Sequence, residues 1–280
     1  MAATRFQRPA VLWTVALLCS AASAQPLDDA WKHYDQAHYG QAAEAFRALN
    51  PVPPQALGAL CEMAVAHKAI STPEQDTRFC KDGVEARDPQ ALVAWGEAHL
   101  DGHERLGVAR DPVMGLGYLA RAATAQYPVA SEALCGAYYQ AGQFTNAAPF
   151  CKVAAAAHLP RGLLNLARMS LEGKGAVQDY GKARSFALLS AQLNYPEAYH
   201  LLGTMEESGT GGTPPNPIKA YAWYSLAAAA APDWKPPRSA REQLKLDAAG
   251  IAAAQKAAST WKRAPDLPWR QLYPSAAKKS

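Results

Sequence analysis

The chain has 280 residues and is 49% apolar and 19% charged, with a formal net charge of +4. That composition belongs to a globular chain, and no run of like charge marks a disordered segment. The small, evenly spread positive excess excludes nucleic acid as an expected partner.

Residues 1–24 read as a secretory signal peptide. MAATRFQRP carries Arg5 and Arg8 and no acid, AVLWTVALLC is a short apolar core, and Ala22, Ser23 and Ala24 fit a cleavage site before Gln25. A lipoprotein signal wants a small residue before its cysteine, and Leu18 precedes Cys19, which argues against lipidation. Cleavage removes two positive and no negative charges, taking +4 to +2. No later apolar run reaches the roughly 18 residues that span a bilayer, so a soluble periplasmic or secreted product is expected.

The remainder is rich in Ala, Leu, Gln, Lys and Arg and nowhere alternates like a half-buried strand, which predicts an all-α chain. AWKHYDQAHYGQAAEAF, residues 30–46, opens it as a helical pair within 25–53. Prolines then mark a repeat: Pro54, Pro89, Pro128, Pro160, Pro196 and Pro232 lie 35, 39, 32, 36 and 36 residues apart. Seven residues after the first five come Cys61, Gly96, Cys135, Ala167 and Gly203, all small. Nine residues before the later five come Cys80, Leu119, Cys151, Ala187 and Trp223; five before them come Val84, Ala123, Ala155, Ala191 and Ala227.

One unit explains these columns. Helix A starts at the proline, which the first helical turn tolerates. The small seventh residue lets helix B approach, the alanine column faces it, and the next proline ends helix B. In LEGKGAVQDYGKA, Gly173 and Gly175 supply positive φ after helix A, and Asp179 caps helix B. The pattern recurs with Gly102, Gly107 and Asp111, and with Gly209, Gly211 and Asn216. A glycine-rich loop before a helix can cradle phosphate, but these loops follow no strand and recur at the repeat period.

LG-x-M, G-x-G, D-x-x-K-A and P-E-A, as they stand in residues 160–231, resemble the Sel-like repeat, a relative of the tetratricopeptide repeat. Residues 89–127 match with a longer loop; 54–88 and 128–159 lack the double-glycine turn and look closer to plain tetratricopeptide repeats. The resemblance implies a right-handed α/α superhelical solenoid of about six hairpins, and a non-catalytic protein-interaction scaffold in envelope assembly, polysaccharide export or signalling. The alternative it implies is a cell-wall or β-lactam-related binding protein or hydrolase, like cysteine-rich secreted members. Residues 232–263 read as a terminal helical cap, with Leu244, Ile251, Ala254 and Ala258 on one face, and 264–280 as a loose tail.

Four cysteines remain after cleavage, which allows three pairings. The repeat register selects Cys61 with Cys80 and Cys135 with Cys151, each pair level across one hairpin, in an oxidising compartment. Each bridge should contribute about 2–4 kcal/mol in a unit without the glycine turn. Free buried thiols are the alternative, and a zinc site has no C-x-x-C to start from.

Other chemistry fails on context. Ser259, with Lys262 three residues on, matches S-x-x-K but sits in the cap without partner motifs. His99 and His103 are four apart, yet Gly102 should end the helix between them. No catalytic, cofactor or metal residue is therefore assigned. The aromatics Trp95, Tyr118, Tyr138, Tyr139, Phe186, Tyr221, Trp223 and Tyr224 read as inter-helix core. In a solenoid the A helices line the inner face, so a protein or peptide partner should meet Gln55, Glu62, Gln90, Glu97, Tyr139, Arg161, Arg168, Glu197, His200 and Glu207, with Leu100, Leu164, Leu171 and Thr204 between them. Glycan is the alternative contact.

Overall fold

The structure is a computed structural model that describes residues 26–66, 70–211 and 213–264. Residues 1–24, expected to be a signal peptide, and the tail from 265 lie outside these residues. The described chain is helical, without a named strand, and its helices pair into hairpins. Residues 26–35 (α1) pair with α2 (Tyr39–Ala48), and α3 (Pro54–Ala66) with α4 (Pro73–Glu85). Then come α5 (Pro89–Asp101) with α6 (Pro112–Thr124), and α7 (Pro128–Gln140) with α8 (Phe144–Ala156). The pairs α9 (Pro160–Glu172) with α10 (Tyr180–Gln192) and α11 (Pro196–Ser208) with α12 (Pro217–Ala230) follow. Helices α13 (Pro236–Gln243) and α14 (Ala248–Ser259) close the array against α12. From α3 to α9 successive A helices touch, α3 with α5, α5 with α7 and α7 with α9, whereas α9 with α11 and the successive B helices meet at most marginally. The A helices therefore form the tight inner side of an α/α solenoid.

Local chemistry sets the boundaries. Each A helix from α3 to α11 begins on its marker proline. Four B helices are capped by a side chain that accepts from the N–H three residues on: Thr72 from Gln75, Asp111 from Met114, Asp179 from Lys182 and Asn216 from Lys219. All six predicted turn glycines have positive φ; Gly173 and Gly209 end α9 and α11 in the left-handed region. Sequence gives no such sign for the B-helix ends. There Arg87, Gln126, His158 and Asn194, each two residues before a proline, also have positive φ. Schellman-type bonds hold them, as from the Asp88 N–H to the Gly83 carbonyl (2.9 Å) and the Leu159 N–H to the Ala154 carbonyl (2.9 Å).

The hairpins close at one level. The small A-helix residue faces the residue eight after the B-helix cap: Cys61 with Cys80, Gly96 with Leu119, Cys135 with Cys151, Ala167 with Ala187, and Gly203 with Tyr224. Counting back from Pro232 predicts Trp223 in this column, but only Ala231 separates α12 from Pro232, where three residues separate α10 from Pro196, and the contact falls on Tyr224. The column of Val84 and the alanines also moves by one in three units: Gly83, Ala122 and Ala154 are buried, while Val84, Ala123 and Ala155 are half-buried. Both bridges form, with Cα–Cα distances of 4.5 Å for Cys61–Cys80 and 4.8 Å for Cys135–Cys151.

A Cβ on Gly203 would lie 2.4 Å from Cε1 of the buried Tyr224 ring. Gly203→Ala should therefore cost about 1–3 kcal/mol of overpacking, of which better helix propensity returns no more than about 1. Gly117, on exposed α6 surface with nothing near its absent Cβ, should show the opposite sign. Urea midpoints of Gly203→Ala and Gly117→Ala check this: the first falls and the second rises.

The cap replaces a seventh hairpin. Ala254 is fully buried, and Leu244, Ile251 and Ala258 are half-buried. Trp234 and Trp261 pack on the core of α9 to α12, the Trp261 indole donates to the Tyr199 hydroxyl (3.2 Å), and the Ala264 N–H reaches the Gln192 carbonyl (2.8 Å).

Candidate functional site

The inner face divides into residues already engaged and residues with polar atoms to spare. Gln90 is buried rather than lining an open surface. Its amide donates to Tyr34 (2.8 Å) and to Glu62, whose carboxylate also accepts from the Tyr34 hydroxyl (2.7 Å). This triad ties α1, α3 and α5 together, so Glu62 and Gln90 hold the array. Gln55 is half-buried at the start of α3.

Near the centre, Arg161 donates to Glu97 (3.1 Å). Glu132, which sequence counting did not select, accepts from the backbone N–H groups of Arg161 (2.8 Å) and Gly162 (3.2 Å) and so caps the start of α9. Burial raises the Glu132 pKa, and the Arg161 charge only partly opposes it. For Arg161, burial works to lower the pKa, but Glu97 and Glu132 outweigh it and raise the value. This cluster is held from all sides.

Beyond it the face opens. Arg168 is half-buried on α9, with no ion pair or hydrogen bond from its side chain among the described residues. Its charge is felt at Tyr139, Tyr195 and His200, on the flanking elements. Glu197, half-buried at the start of α11, also has no such partner among the described residues. The His200 ring stands against Tyr224 (5.3 Å between centroids) and Trp234 (5.2 Å). Glu207 accepts from the Tyr224 hydroxyl at 2.6 Å; burial, with that bond second, pushes the phenol up to about 12.

Burial, then the Arg168 charge, lowers the His200 pKa, with Glu207 opposing. A histidine depressed in the folded state binds its proton more readily when unfolded. Its contribution is complete above the unfolded value and is lost as pH falls through the folded one. Stability should fall on acidification from about pH 7 to 5, and His200→Gln should flatten that slope; urea midpoints across the range measure it.

The remaining sequence candidates separate. His99 lies between Trp95 and Tyr118, while His103 Nε2 sits 3.3 Å from the Val65 carbonyl, so the two do not converge. Among the described residues no group of three or more His, Cys, Asp or Glu is placed to hold a metal. The Ser259 hydroxyl donates to the Lys256 carbonyl (2.8 Å) at the end of α14. Trp95 and Tyr224 are core, while Tyr118, Tyr138, Tyr139, Phe186, Tyr221 and Trp223 are half-buried at helix contacts.

Sequence counting also missed Asp76, fully buried and paired with Arg105 at 2.6 Å, and Glu206, buried and paired with Arg184. Both acids follow the repeat too loosely to stand out. No described helix is long and apolar enough to cross a membrane.

The family model described as Sel1 repeat matches residues 89–127, 160–195 and 196–231. Among solved structures, the c5321 protective antigen of uropathogenic Escherichia coli strains, which displays an SLR fold, superposes with a TM-score of 0.68 at 20% identity, over 86% of this chain and 52% of that one. This chain thus spans about half the length of the antigen. A Sel1 repeat protein from Oxalobacter formigenes superposes with a TM-score of 0.62 at 18% identity, over 83% of this chain and 98% of that one. Likeness at such identities speaks for the fold alone. A comparison with curated proteins finds no match. Three Sel1 repeats thus lie inside a continuous array of like hairpins, and in fold the chain is similar to Sel1 repeat proteins.

Proposed function

We propose that this chain is an exported, non-catalytic adaptor whose inner face holds a protein or peptide segment in the periplasm, in envelope assembly, polysaccharide export or signalling. The observation that carries the reading is the contrast along the inner face. Glu62, Gln90, Glu97 and Arg161 are engaged within the fold, whereas Arg168 and Glu197 keep charge available beside Tyr139, Tyr195 and His200. A rigid surface with one unspent cation, one unspent anion and aromatic edges suits a polar chain segment with a few anchors. Two disulfides support an oxidising compartment, in keeping with a cleaved 1–24 leader. In this reading 25–53 is the opening hairpin, 54–231 the five repeats and 232–263 the cap that shields the last apolar face.

Affinity capture from the periplasm tests it. Arg168→Ala should reduce recovery of the dominant partner about tenfold, as for a central anchor, and Glu197→Ala less. Ser259→Ala should leave recovery unchanged. Undiminished recovery by both Arg168→Ala and Glu197→Ala would remove the inner face from the account.

A further inference from the structure

The connection from α5 to α6 is longer than its counterparts between α9 and α10 and between α11 and α12, and it does more than turn the chain. It contains a 3-10 turn, Glu104–Leu106, and an isolated bridge between His103 and Val108. The loop folds back on the preceding hairpin. Arg105 reaches Asp76 (2.6 Å) and the Ala64 carbonyl (3.1 Å), and Thr77 donates to the Leu106 carbonyl (3.3 Å). So pinned, the loop forms one wall of a cleft of ≈ 790 Å³, with α4 opposite, α5 as floor and α6 as the fourth side. That volume lies within the roughly 300–1,000 Å³ range of small-molecule sites. The cleft shares no residue with the inner face described above.

Its floor is aromatic. The Trp95 and His99 rings meet edge to face at 5.4 Å, and His99 lies 5.6 Å from Tyr118. Leu106 and Val108 supply apolar wall, and Met114 is 46% exposed at the edge. Buried Nδ1 of His99 has no hydrogen-bond partner among the described residues.

The rim is cationic. Lys81, Arg87 and Arg121 line it, none in an ion pair among the described residues, and the Arg121 guanidinium stands 5.8 Å from the Tyr118 ring centroid. Two acids also stand at the rim, Glu85 and Asp111, the latter turned to the Met114 N–H as a helix cap, so the three cations leave an excess of one positive charge. Arg87 and Arg121 also line an adjoining cleft of ≈ 500 Å³, so both guanidinium groups stand where the two openings meet.

An apolar, aromatic floor below an unpaired cationic rim is complementary to one chemical class. We propose that this cleft binds a small amphipathic carboxylate, with an aryl or acyl body over Trp95, His99 and Tyr118 and the carboxylate at Arg121 and its neighbours. Desolvation of the body supplies affinity, and the rim charges select the anion. The site is independent of the inner-face reading and stands if that reading fails.

Phenylbutanoate and its uncharged amide are the paired probes, titrated into the full-length mature chain and followed by amide and indole NMR shifts. The acid should produce saturating shifts at Trp95, Gly107 and Val108, and bind about fivefold tighter than the amide, the worth of one partly exposed ion pair. Arg121→Glu changes an exposed residue and should weaken the acid by at least that factor without changing helicity. Met114→Ala, which removes apolar edge without changing charge, should weaken acid and amide alike. Absence of saturating shifts at the cleft, equal affinity for acid and amide, or unchanged binding by Arg121→Glu would each overturn the proposal. Saturation by an acidic, Phe-anchored peptide but not by phenylbutanoate would assign the cleft to a protein partner and overturn it as well.

Discussion

Reduction of both disulfides should destabilise the two stapled hairpins by about 3 kcal/mol each, while the glycine-turn hairpins hold. The bridges join residues separated by 19 and 16 positions, and loop-closure entropy of that span gives about this figure. In a solenoid each unit contacts only its neighbours, so the loss is local first. The second staple sits beside a specific weakness: Pro149 lies inside α8, where it removes a helical hydrogen bond, and Cys151 is two residues on. Hydrogen exchange with and without reductant reads this directly. Amides of α3, α4, α7 and α8 should lose protection, and those of α11 and α12 should keep it. Equal protection in both states would mean that packing alone holds these hairpins.

Arg105→Met should be among the most damaging single changes, at about 3–5 kcal/mol. Asp76 is fully buried, and its carboxylate is met by Arg105 and by the Ser71 hydroxyl. Methionine fills much of the arginine volume but leaves that carboxylate without its cation in the interior. The same change also frees the loop 102–111 from the first stapled hairpin. Adding Asp76→Asn should restore part of the loss, because a neutral amide needs no counter-charge. A double-mutant cycle by urea unfolding measures the coupling; additive losses would mean that the pair is dispensable and the loop is held by its backbone contacts.

The repeat period, the start of each A helix, the glycine turns and both cysteine pairs are legible in the sequence, because each depends on a residue type with a narrow physical role. Proline can open a helix and not continue one; glycine alone takes positive φ without strain; level cysteines bond. What is illegible has the opposite character. The B-helix ends rest on Arg87, Gln126, His158 and Asn194, four residue types that share no column signal, although Asn and His take positive φ more readily than Arg or Gln. Tyr224 takes the contact expected of Trp223 because the link from α12 to Pro232 is shorter than its counterparts, and a count that is one residue off misplaces the face by about a hundred degrees. Of the inner-face residues, counting along helices gives exposure and not commitment. Only the three-dimensional neighbours separate Gln90 and Glu62, bound to Tyr34, from Arg168, which is bound to nothing described. Glu132 and Asp76 carry no motif at all; their roles come from long-range partners.

The most direct measurement is site-specific photo-crosslinking in the periplasm, with a photoreactive amino acid placed in turn at positions 139 and 200 on the inner side and at 153 and 177, where Val153 and Val177 are exposed. A partner captured from 139 and 200, absent from 153 and 177, and lost on Arg168→Ala is the predicted result. Capture from 153 or 177 with none from 139 and 200 would contradict the inner-face account.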